Sequence, residues 1–358
     1  MSKILNLDIG AGTMDVLYFD TEADNHYKAV GRSPVRTTAE RVLAAPGNLL
    51  ITGVEMGGGA VSQAIRRRAA ERRVLITASA AMTLSHDPDR VRAMGVEVIE
   101  DAAATEHSEA DGLTTIALGD LETERIRGIV KGFGVPFEFD AVGICVQDHG
   151  LAPPGVSSLD YRHNHYRALL DIEPTPAALL HAGDEIPDDM PRLRAVRDSA
   201  QVLPSDAVYL MDSGMAAVLG GTLDPRVRES RHAIILDIAT SHTVAASFAG
   251  DDLCAFVEYH TKDIRVDDVA LLLRDLADGR LEHEKVLAAG GHGAYTRCAV
   301  GFDSLDIILS TGPRRAMLTG CGLDLVPGAP FGDNMMTGAV GLLEAIRRRE
   351  GWEELPSI

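Results

Sequence analysis

The sequence predicts an α/β fold in which two similar domains face each other across a cleft. Its 358 residues exceed what one hydrophobic core usually contains, so two domains are expected. Apolar runs typical of strands alternate with amphipathic segments typical of helices, which favours α/β layering. An apolar hairpin pattern at residues 4–19 recurs at residues 233–248, and this internal repeat indicates two related halves.

The first hairpin pattern places Asp8 at the end of an apolar run. Glycine supplies the positive φ of a tight turn and lets a ligand approach the backbone, so the turn amides could bind phosphate while Asp8 holds a hydrated metal ion. An ordinary glycine hairpin explains the same pattern, whereas a dinucleotide-binding motif requires glycine where Asp15 stands. The turn residues are Gly10, Ala11, Gly12 and Thr13.

Residues 48–73 predict a strand, a glycine turn and a helix in succession. Amides that converge at a helix N-terminus can bind an anion, and the turn could also form the wall of a substrate pocket. Close packing of the strand against the helix requires glycine equally well. The turn glycines are Gly57, Gly58 and Gly59.

A buried strand predicted at residues 141–146 ends at Gln147, Asp148 and His149. Ligands of open α/β sheets bind at the carboxyl ends of strands, where these side chains can orient water or transfer protons. A turn stabilised by its own Asx hydrogen bonds is the alternative interpretation.

The second half of the chain repeats the plan of the first. A helix of small residues is predicted at 212–221, with Asp212 or Ser213 as its cap. In the second hairpin pattern, Asp237 takes the position that Asp8 has in the first. The turn that follows contains Ala239, Thr240, Ser241, His242 and Thr243.

Two further glycine turns and a helix complete the second half. Residues 290–293 form a turn with His292 at its tip, and a strand at 306–311 opens into residues 312–314. The last helix is predicted at 334–349 and carries small residues near its start.

The order of these segments resembles that of the actin-like ATPase superfamily, which contains actin, Hsp70-type chaperones, sugar kinases and activators of radical or corrinoid enzymes. The resemblance implies a duplicated, ribonuclease H-like, bilobed fold with a central cleft. The matching segments are residues 8–15 and 237–243 for the two phosphate motifs, 147–148 for the water-orienting or general-base position, 212–221 and 338–339 for the connecting helices, and 310–314 for the adenosine turn.

Within this superfamily the chain is similar to the DUF1786 family, which carries the label of a pyruvate formate-lyase activating enzyme. Residues 147–150, 290–293 and 312–314 carry this similarity. Radical chemistry is not implied, because a radical-SAM activator requires a three-cysteine cluster motif. The scattered cysteines lack that spacing, and they indicate neither a disulfide framework nor a zinc ribbon: Cys145, Cys254, Cys298 and Cys321.

The resemblance implies three regions. Residues 1–150, together with the C-terminal helix 334–349, form the first actin-like domain. Residues 151–231 connect the domains and include the helix at 212–221, and residues 232–333 form the second actin-like domain.

The resemblance also implies an ATP-dependent and Mg²⁺-dependent phosphotransferase or ATPase. Asp8 and Asp237 would hold Mg²⁺ through water, and Asp148 would orient the attacking group or accept its proton with help from Gln147 and His149. The cofactor-binding residues would be Gly10, Ala11, Gly12, Thr13, Asp15, Asp212, Thr240, Ser241, His242, Thr243, Gly312, Pro313 and Arg314, and the substrate candidates Gly57, Gly58, Gly59, Gly291, His292 and Gly293.

One position departs from the superfamily pattern. Ala239 stands where the second phosphate motif usually has glycine, and its methyl group would narrow the space for a phosphate. His242 could compensate by donating to a phosphate oxygen, or it could belong to a site for a different ligand.

Three alternatives to a phosphotransferase remain open. The chain could be an activator ATPase that acts on a partner enzyme, or a non-catalytic actin-like module for binding or assembly. A metal-dependent hydrolase is the third, and it would use Asp148, His149, His163, His165 and His292. Two histidines two apart can chelate a metal on a strand or loop, and plain surface histidines are the alternative interpretation of His163 and His165.

The composition favours a cytoplasmic protein without a nucleic-acid or membrane partner. Its 34 Lys and Arg residues against 53 Asp and Glu residues give a formal charge of −19, which repels nucleic acid and anionic membranes. No apolar run has the length of a membrane span. The expected partner is a small-molecule substrate or a partner enzyme, and the sequence allows a homodimer.

Overall fold

The computed structural model of the chain describes residues 2–21, 25–110 and 112–354. Its strands are β1 (Lys3–Ile9), β2 (Thr13–Asp20), β3 (Asn25–Arg32), β4 (Leu49–Gly53), β5 (Val74–Thr77), β6 (Glu97–Ile99), β7 (Thr114–Leu118), β8 (Phe139–Cys145), β9 (His181–Ala182), β10 (Ser205–Met211), β11 (His232–Ile238), β12 (His242–Ala249), β13 (Asp252–His260), β14 (Gly293–Thr296), β15 (Ile307–Thr311) and β16 (Val326–Pro327).

The helices connect these strands and cover the sheets. They are α1 (Pro34–Ala44), α2 (Gly59–Ala69), α3 (Ala78–Ala81), α4 (Pro88–Ala93), α5 (Ala104–Ala110), α6 (Thr123–Gly132), α7 (Ser158–Leu170), α8 (Pro191–Ala200), α9 (Ser213–Gly221), α10 (Pro225–Arg228), α11 (Val266–Ala277), α12 (His283–Ala288) and α13 (Thr337–Glu350). Among the described residues, no helix combines the length and the apolar character needed to cross a bilayer.

Two six-stranded sheets repeat one topology. The first has the order β3-β2-β1-β8-β10-β9, with β1, β8 and β10 parallel and β2 and β3 antiparallel. The second has the order β14-β13-β12-β11-β15-β16, and β11, β15 and β16 are parallel while β12 and β13 are antiparallel. The shared order of five strands confirms the predicted duplicated, ribonuclease H-like fold of actin-like ATPases.

The first sheet draws strands from both sides of residue 150. β9 and β10 lie in the segment predicted to connect the domains, and β10 pairs in parallel with β8. A third, all-parallel sheet with the order β6-β5-β4-β7 is inserted between β3 and β8. The pattern of residues 48–99 predicted strands here, but a separate sheet was not expected.

The two halves share one apolar core around α9 and α13. This core contains Phe19 from the first sheet, Phe248 from the second, and buried residues of both helices. A Cβ on Gly341 of α13 would overlap the carbonyl oxygen of Ala216 in α9, and a Cβ on Gly220 of α9 would likewise overlap the backbone of α13. Glycine therefore lets the two helix backbones touch where the halves of the chain meet.

A disulfide links two cysteines that are far apart in the sequence. Cys254 on β13 bonds to Cys298, 44 residues later, just after the neighbouring strand β14. The spacing of the cysteines did not predict this pair, because the register of two strands brings the residues together. Cys145 and Cys321 are free and buried.

Gly341→Ala is expected to lower the free energy of unfolding by about 1–3 kcal/mol, because the added methyl group must displace helix backbone rather than a flexible side chain. Denaturant unfolding followed by circular dichroism measures this change. The control is Gly128→Ala in α6, where the new methyl group meets nothing within 4 Å. Its stability should rise by about 0.5–1 kcal/mol. Equal effects of the two substitutions would contradict the close crossing of α9 and α13.

Candidate functional site

A cavity of about 540 Å³ lies at the ends of the central strands of both six-stranded sheets. Its walls include the two hairpin turns, the residues after β8 and the start of α13. The glycine turn after β4 adds a wall from the inserted sheet. All predicted catalytic, cofactor and substrate residues line this cavity except Asp212, Thr243, Gly291, His292, Gly293 and Arg314.

The first hairpin turn is closed by its own backbone. Gly10 N donates to Thr13 O at 3.0 Å, and Ser33 Oγ donates to Gly10 O at 2.6 Å. Neither Gly10 nor Gly12 has a positive φ, so the predicted conformational reason for these glycines is wrong. Gly12 is required by contact, because a Cβ there would lie 2.7 Å from Thr240 Cγ2 in the second turn.

The second hairpin turn reproduces these hydrogen bonds. Ala239 N donates to His242 O at 3.1 Å, and Thr261 Oγ1 donates to Ala239 O at 2.8 Å. Ala239 has no positive φ and therefore replaces glycine without backbone strain. The repeat seen in the sequence thus extends to individual hydrogen bonds.

Asp8 is held between the two connecting helices. Ser213 Oγ on α9 donates to Asp8 Oδ1 at 2.6 Å, and a Cβ on Gly338 of α13 would overlap Asp8 Oδ2. The antiparallel register of β1 and β2 sets Asp15 directly opposite Asp8. This register brings a second carboxylate to the same strand end.

Asp237 occupies the equivalent strand end in the second sheet. It is buried, and Gly312, which has a φ of +86°, would carry a Cβ only 2.6 Å from Asp237 Oδ1. A side chain at Gly312 would therefore collide with the carboxylate. Glycine is required there by both its conformation and its contact.

The carboxyl groups of Asp8, Asp15 and Asp237 lie close together and are shielded from water. Burial raises the pKa of Asp8 to about 6, and burial with the charge of Asp8 raises the pKa of Asp237 to about 7 and of Asp15 to about 9. Asp15 Oδ1 is buried without a hydrogen-bond partner. Such a cluster favours protons or a bound cation, since either one relieves the repulsion.

Asp148, the predicted general base, accepts two hydrogen bonds from backbone amides. Asp148 Oδ1 accepts from Gly150 N at 2.8 Å, and Asp148 Oδ2 accepts from Leu193 N at 2.9 Å. The first bond is the Asx turn that the sequence left open as an alternative. His149 lies beside it with Nδ1 buried and unpartnered, and burial lowers the pKa of His149 to about 3.

A buried ion network was missed by sequence reasoning. Arg162 on α7 donates to Glu258 Oε2 at 2.6 Å and to Asp212 Oδ2 at 2.8 Å. Asp212 also caps α9 by accepting from Met215 N at 3.0 Å, and it does not line the cavity. Burial favours the neutral form of Glu258, but Arg162 outweighs it and holds the pKa of Glu258 well below its usual value.

Glu258 also connects this network to the cavity. Gln147 Nε2 donates to Glu258 Oε1 at 2.6 Å, so the side chain after β8 is held against the second sheet. The signal in the sequence was a carboxylate inside the apolar strand β13. A buried charge in such a strand requires a partner, which is Arg162.

Ion pairs and hydrogen bonds hold the part of the cavity lining that the inserted sheet contributes. Arg192 donates to Asp120 Oδ2 at 2.9 Å, and Gly57 N donates to Asp120 Oδ1 at 3.2 Å. The amide of Gly57 therefore already has an acceptor, which disfavours the predicted anion site there. His86 and Glu55 form a second pair at 2.9 Å on this wall.

The residues predicted for a metal-dependent hydrolase do not form one site. His163 and His165 lie on helix α7, not on a strand or loop, and His163 stacks on Phe256 with ring centroids 5.0 Å apart. Residues two apart on a helix point to different sides. Within the described part of the chain, a different set of imidazole nitrogens converges: those of His242, His260 and His292.

A comparison with protein-family models agrees with the resemblance to the DUF1786 family. Residues 56–317 match the family model described as "Putative pyruvate format-lyase activating enzyme (DUF1786)". A search of curated proteins finds no match to the chain.

Solved structures with a similar chain path have low sequence identity. A Bacteroides thetaiotaomicron protein with actin-like ATPase fold and unknown function is 8% identical (94% of this chain and 95% of that chain covered, TM-score 0.37). A ROK hexokinase from Thermus thermophilus is 14% identical (98% and 90%, TM-score 0.28). An inorganic polyphosphate/ATP-glucomannokinase from Arthrobacter sp. strain KM is 12% identical (97% and 100%, TM-score 0.34). The strand order of the two sheets remains the evidence for the fold.

Asp15→Asn is expected to stabilise the protein at alkaline pH in a chelating buffer. The folded chain holds a proton on Asp15 up to about pH 9, whereas an unfolded aspartate loses it near its ordinary pKa. The free energy of unfolding therefore falls as the pH rises toward 9, and the amide removes this loss. The buried histidines with lowered pKa reduce the free energy of unfolding only below about pH 6.5, so they do not offset this effect at alkaline pH.

Thermal unfolding at pH 7, 8 and 9 measures this effect. The Tm of Asp15→Asn at pH 9 should exceed that of the wild type by about 2 °C or more. Asp303→Asn, at an exposed carboxylate, is the matched control and should leave the pH dependence unchanged. A wild-type slope retained in Asp15→Asn would show that Asp15 is not held protonated.

Proposed function

The chain belongs to the DUF1786 family, and from the cavity we propose that it is a Mg²⁺-dependent ATP-binding enzyme, either a phosphotransferase or an ATPase. One observation carries this proposal. Asp8 and Asp237 lie at equivalent strand ends of the two repeats and line a single cavity between the two hairpin turns. Two acidic strand ends beside two turns of mostly small residues form a suitable arrangement for a metal-bound polyphosphate.

The donor set fits Mg²⁺. This cation prefers oxygen ligands, keeps several waters and is usually held by one or two carboxylates. Asp8 and Asp237 offer those carboxylates, and the unpartnered Oδ1 of Asp15 offers a further oxygen next to them. When bound, Mg²⁺ would neutralise charge on the phosphates during transfer.

The charge of the cavity supports binding of a metal-complexed nucleotide rather than a free anion. Arg192 is the one arginine or lysine on the described lining, and it is already paired with Asp120. Three further carboxyl groups line the cavity besides the strand-end aspartates, those of Glu55, Asp148 and Glu258, of which Glu258 is paired with Arg162. A polyphosphate would be repelled unless a cation accompanied it.

The adenosine would lie against the turn after β15. Gly312 and Pro313 line the cavity there, together with Asn334 and Met335 before α13. Asn334 Nδ2 donates to Gly312 O at 2.9 Å and holds this turn in place. The apolar and backbone surfaces of such a turn suit a purine base.

The attacking group would enter between the end of β8 and the inserted sheet. Gln147 and His149 face the cavity there, and the neutral imidazole of His149 can accept a hydrogen bond from water or a hydroxyl group. Asp148 would fix this segment through its two backbone hydrogen bonds. The wall of Gly57, with Glu55 and His86, leaves room for a small phosphate acceptor, which favours a kinase.

Asp8→Asn is expected to weaken the binding of Mg-ATP by about 10–100-fold, because it removes a charged ligand of the metal while keeping the shape of the side chain. Isothermal titration calorimetry with Mg-ATP measures the change. The variant should unfold at or above the wild-type temperature in chelating buffer, since it also removes a buried charge.

Asp89→Asn is the matched control, since its carboxylate is exposed and pairs with Arg92 on the surface. Its affinity for Mg-ATP should equal that of the wild type. An unchanged affinity in Asp8→Asn, or no binding of Mg-ATP by the wild type, would overturn the proposal. Phosphate release with and without a panel of sugar and alcohol acceptors then separates a kinase from an ATPase.

A further inference from the structure

Three imidazoles meet beside the second hairpin turn. The ring centroids of His242 and His260 are 4.8 Å apart, those of His242 and His292 4.7 Å, and those of His260 and His292 4.2 Å. One nitrogen from each ring can be chosen so that the three lie within 4.8 Å of one another. No other described group of histidines, cysteines or carboxylates converges in this way.

Strand register creates this cluster from residues far apart in the sequence. His242 at the start of β12 stands directly opposite His260 at the end of β13. His292 immediately precedes β14, and its backbone N–H donates to Glu258 O on β13 at 2.8 Å. The adjacent ends of three neighbouring strands therefore each present one imidazole.

The equivalent hairpin of the first repeat has no such residues. In that hairpin Thr13 stands opposite Arg32, at the positions that His242 and His260 occupy in the second. The hydrogen bonds that close the two turns are nevertheless the same. The hairpin fold thus does not require imidazoles at these positions.

Two of these rings contain buried nitrogen atoms without a hydrogen bond. His292 is 7% exposed and its Nδ1 is unpartnered, as is Nε2 of His242. A buried polar group without a partner costs about 1–3 kcal/mol. A bound metal ion would supply the missing partner of His242 Nε2, whereas His292 Nδ1 faces Glu258 Oε1 at 3.5 Å.

We propose that His242, His260 and His292 bind a divalent transition-metal ion, with Zn²⁺ the best-suited candidate and a fourth coordination position open to the cavity. Imidazole nitrogen is a preferred ligand of Zn²⁺, and three protein ligands with one open position are typical of catalytic rather than structural zinc sites. The three nitrogens lie within 4.8 Å of one another, and a tetrahedral Zn²⁺ site with Zn–N distances of about 2.0–2.1 Å would bring them to about 3.3 Å.

Glu258 completes the site as an outer partner. Its Oε1 lies 3.5 Å from His292 Nδ1, so this nitrogen can donate to the carboxylate once the other ring nitrogen binds the metal. Gln147 and Arg162 hold Glu258 in place. A carboxylate that orients a metal-bound histidine in this way is a usual feature of metal centres.

The cavity gives the three imidazoles access to a further ligand. His242 and His260 line the cavity, so the open position faces the proposed nucleotide site and can take water or an anionic oxygen of a substrate.

The test uses the full chain after removal of metal by a chelator. Calorimetry with Zn²⁺ and the visible absorption of added Co²⁺ should show one tight site with the tetrahedral band of Co²⁺. Two variants each remove one proposed ligand: His260→Ala, at a partly exposed ring, and His292→Ala. Loss of an outer partner lowers metal affinity by roughly 10–100-fold, and each of these variants should lower the affinity for Zn²⁺ by more than that. Each should also remove the tetrahedral band of Co²⁺.

Two controls make the result specific. His232→Ala changes a histidine at the opposite end of β11, and Asp8→Asn removes a carboxylate of the proposed Mg²⁺ site, and both should keep the wild-type affinity for Zn²⁺. Circular dichroism identifies any variant that fails to fold. If His260→Ala does not fold, His260→Gln replaces it. Absence of a Zn²⁺ site in the wild type, or unchanged affinity in folded His260 and His292 variants, would overturn the proposal. Asp8→Asn should change the affinity for Mg-ATP but not the affinity for Zn²⁺. The two measurements therefore test the nucleotide site and the Zn²⁺ site separately.

Discussion

The contact between α9 and α13 is the constraint on which the rest of the molecule depends. The helix backbones touch at Gly220 and Gly341, and the two sheets pack on either side of a shared core. The same helices hold Asp8 through Ser213 and Gly338. Small residues at one crossing therefore determine both the packing of the halves and the position of a carboxylate in the cavity. A larger side chain at either glycine would change both.

Duplication explains the shape of the cavity, and divergence explains its chemistry. The two hairpin turns share their closing hydrogen bonds, but the residues at 10–13 and 239–242 differ at every position. The first repeat contributes paired carboxylates at Asp8 and Asp15, whereas the second contributes Asp237 and the imidazoles of His242 and His260. Both repeats thus supply carboxylate oxygens, and the second adds imidazole nitrogens.

Electrostatics links the two proposed metal sites. The cavity contains many carboxylates and one paired arginine, so an anionic substrate needs cations to enter it. Mg²⁺ suits the aspartates, and Zn²⁺ suits the histidines. Glu258 lies next to the second site, but Arg162 and Gln147 already bond to its oxygens, which leaves it to orient His292 rather than to bind metal directly.

The sequence by itself determined the local features: the apolar strands, the small turns, the repeated hairpin, and Asp8 and Asp237 at strand ends. These depend on neighbouring residues, and apolar periodicity and turn composition record them directly. The tertiary structure alone decided that Asp212 pairs with Arg162, that Asp148 bonds to backbone amides, and that Cys254 meets Cys298. It also decided that His260 joins His242 and His292 in one cluster. Each of those facts depends on the register or packing of segments far apart in the chain, which no local pattern records.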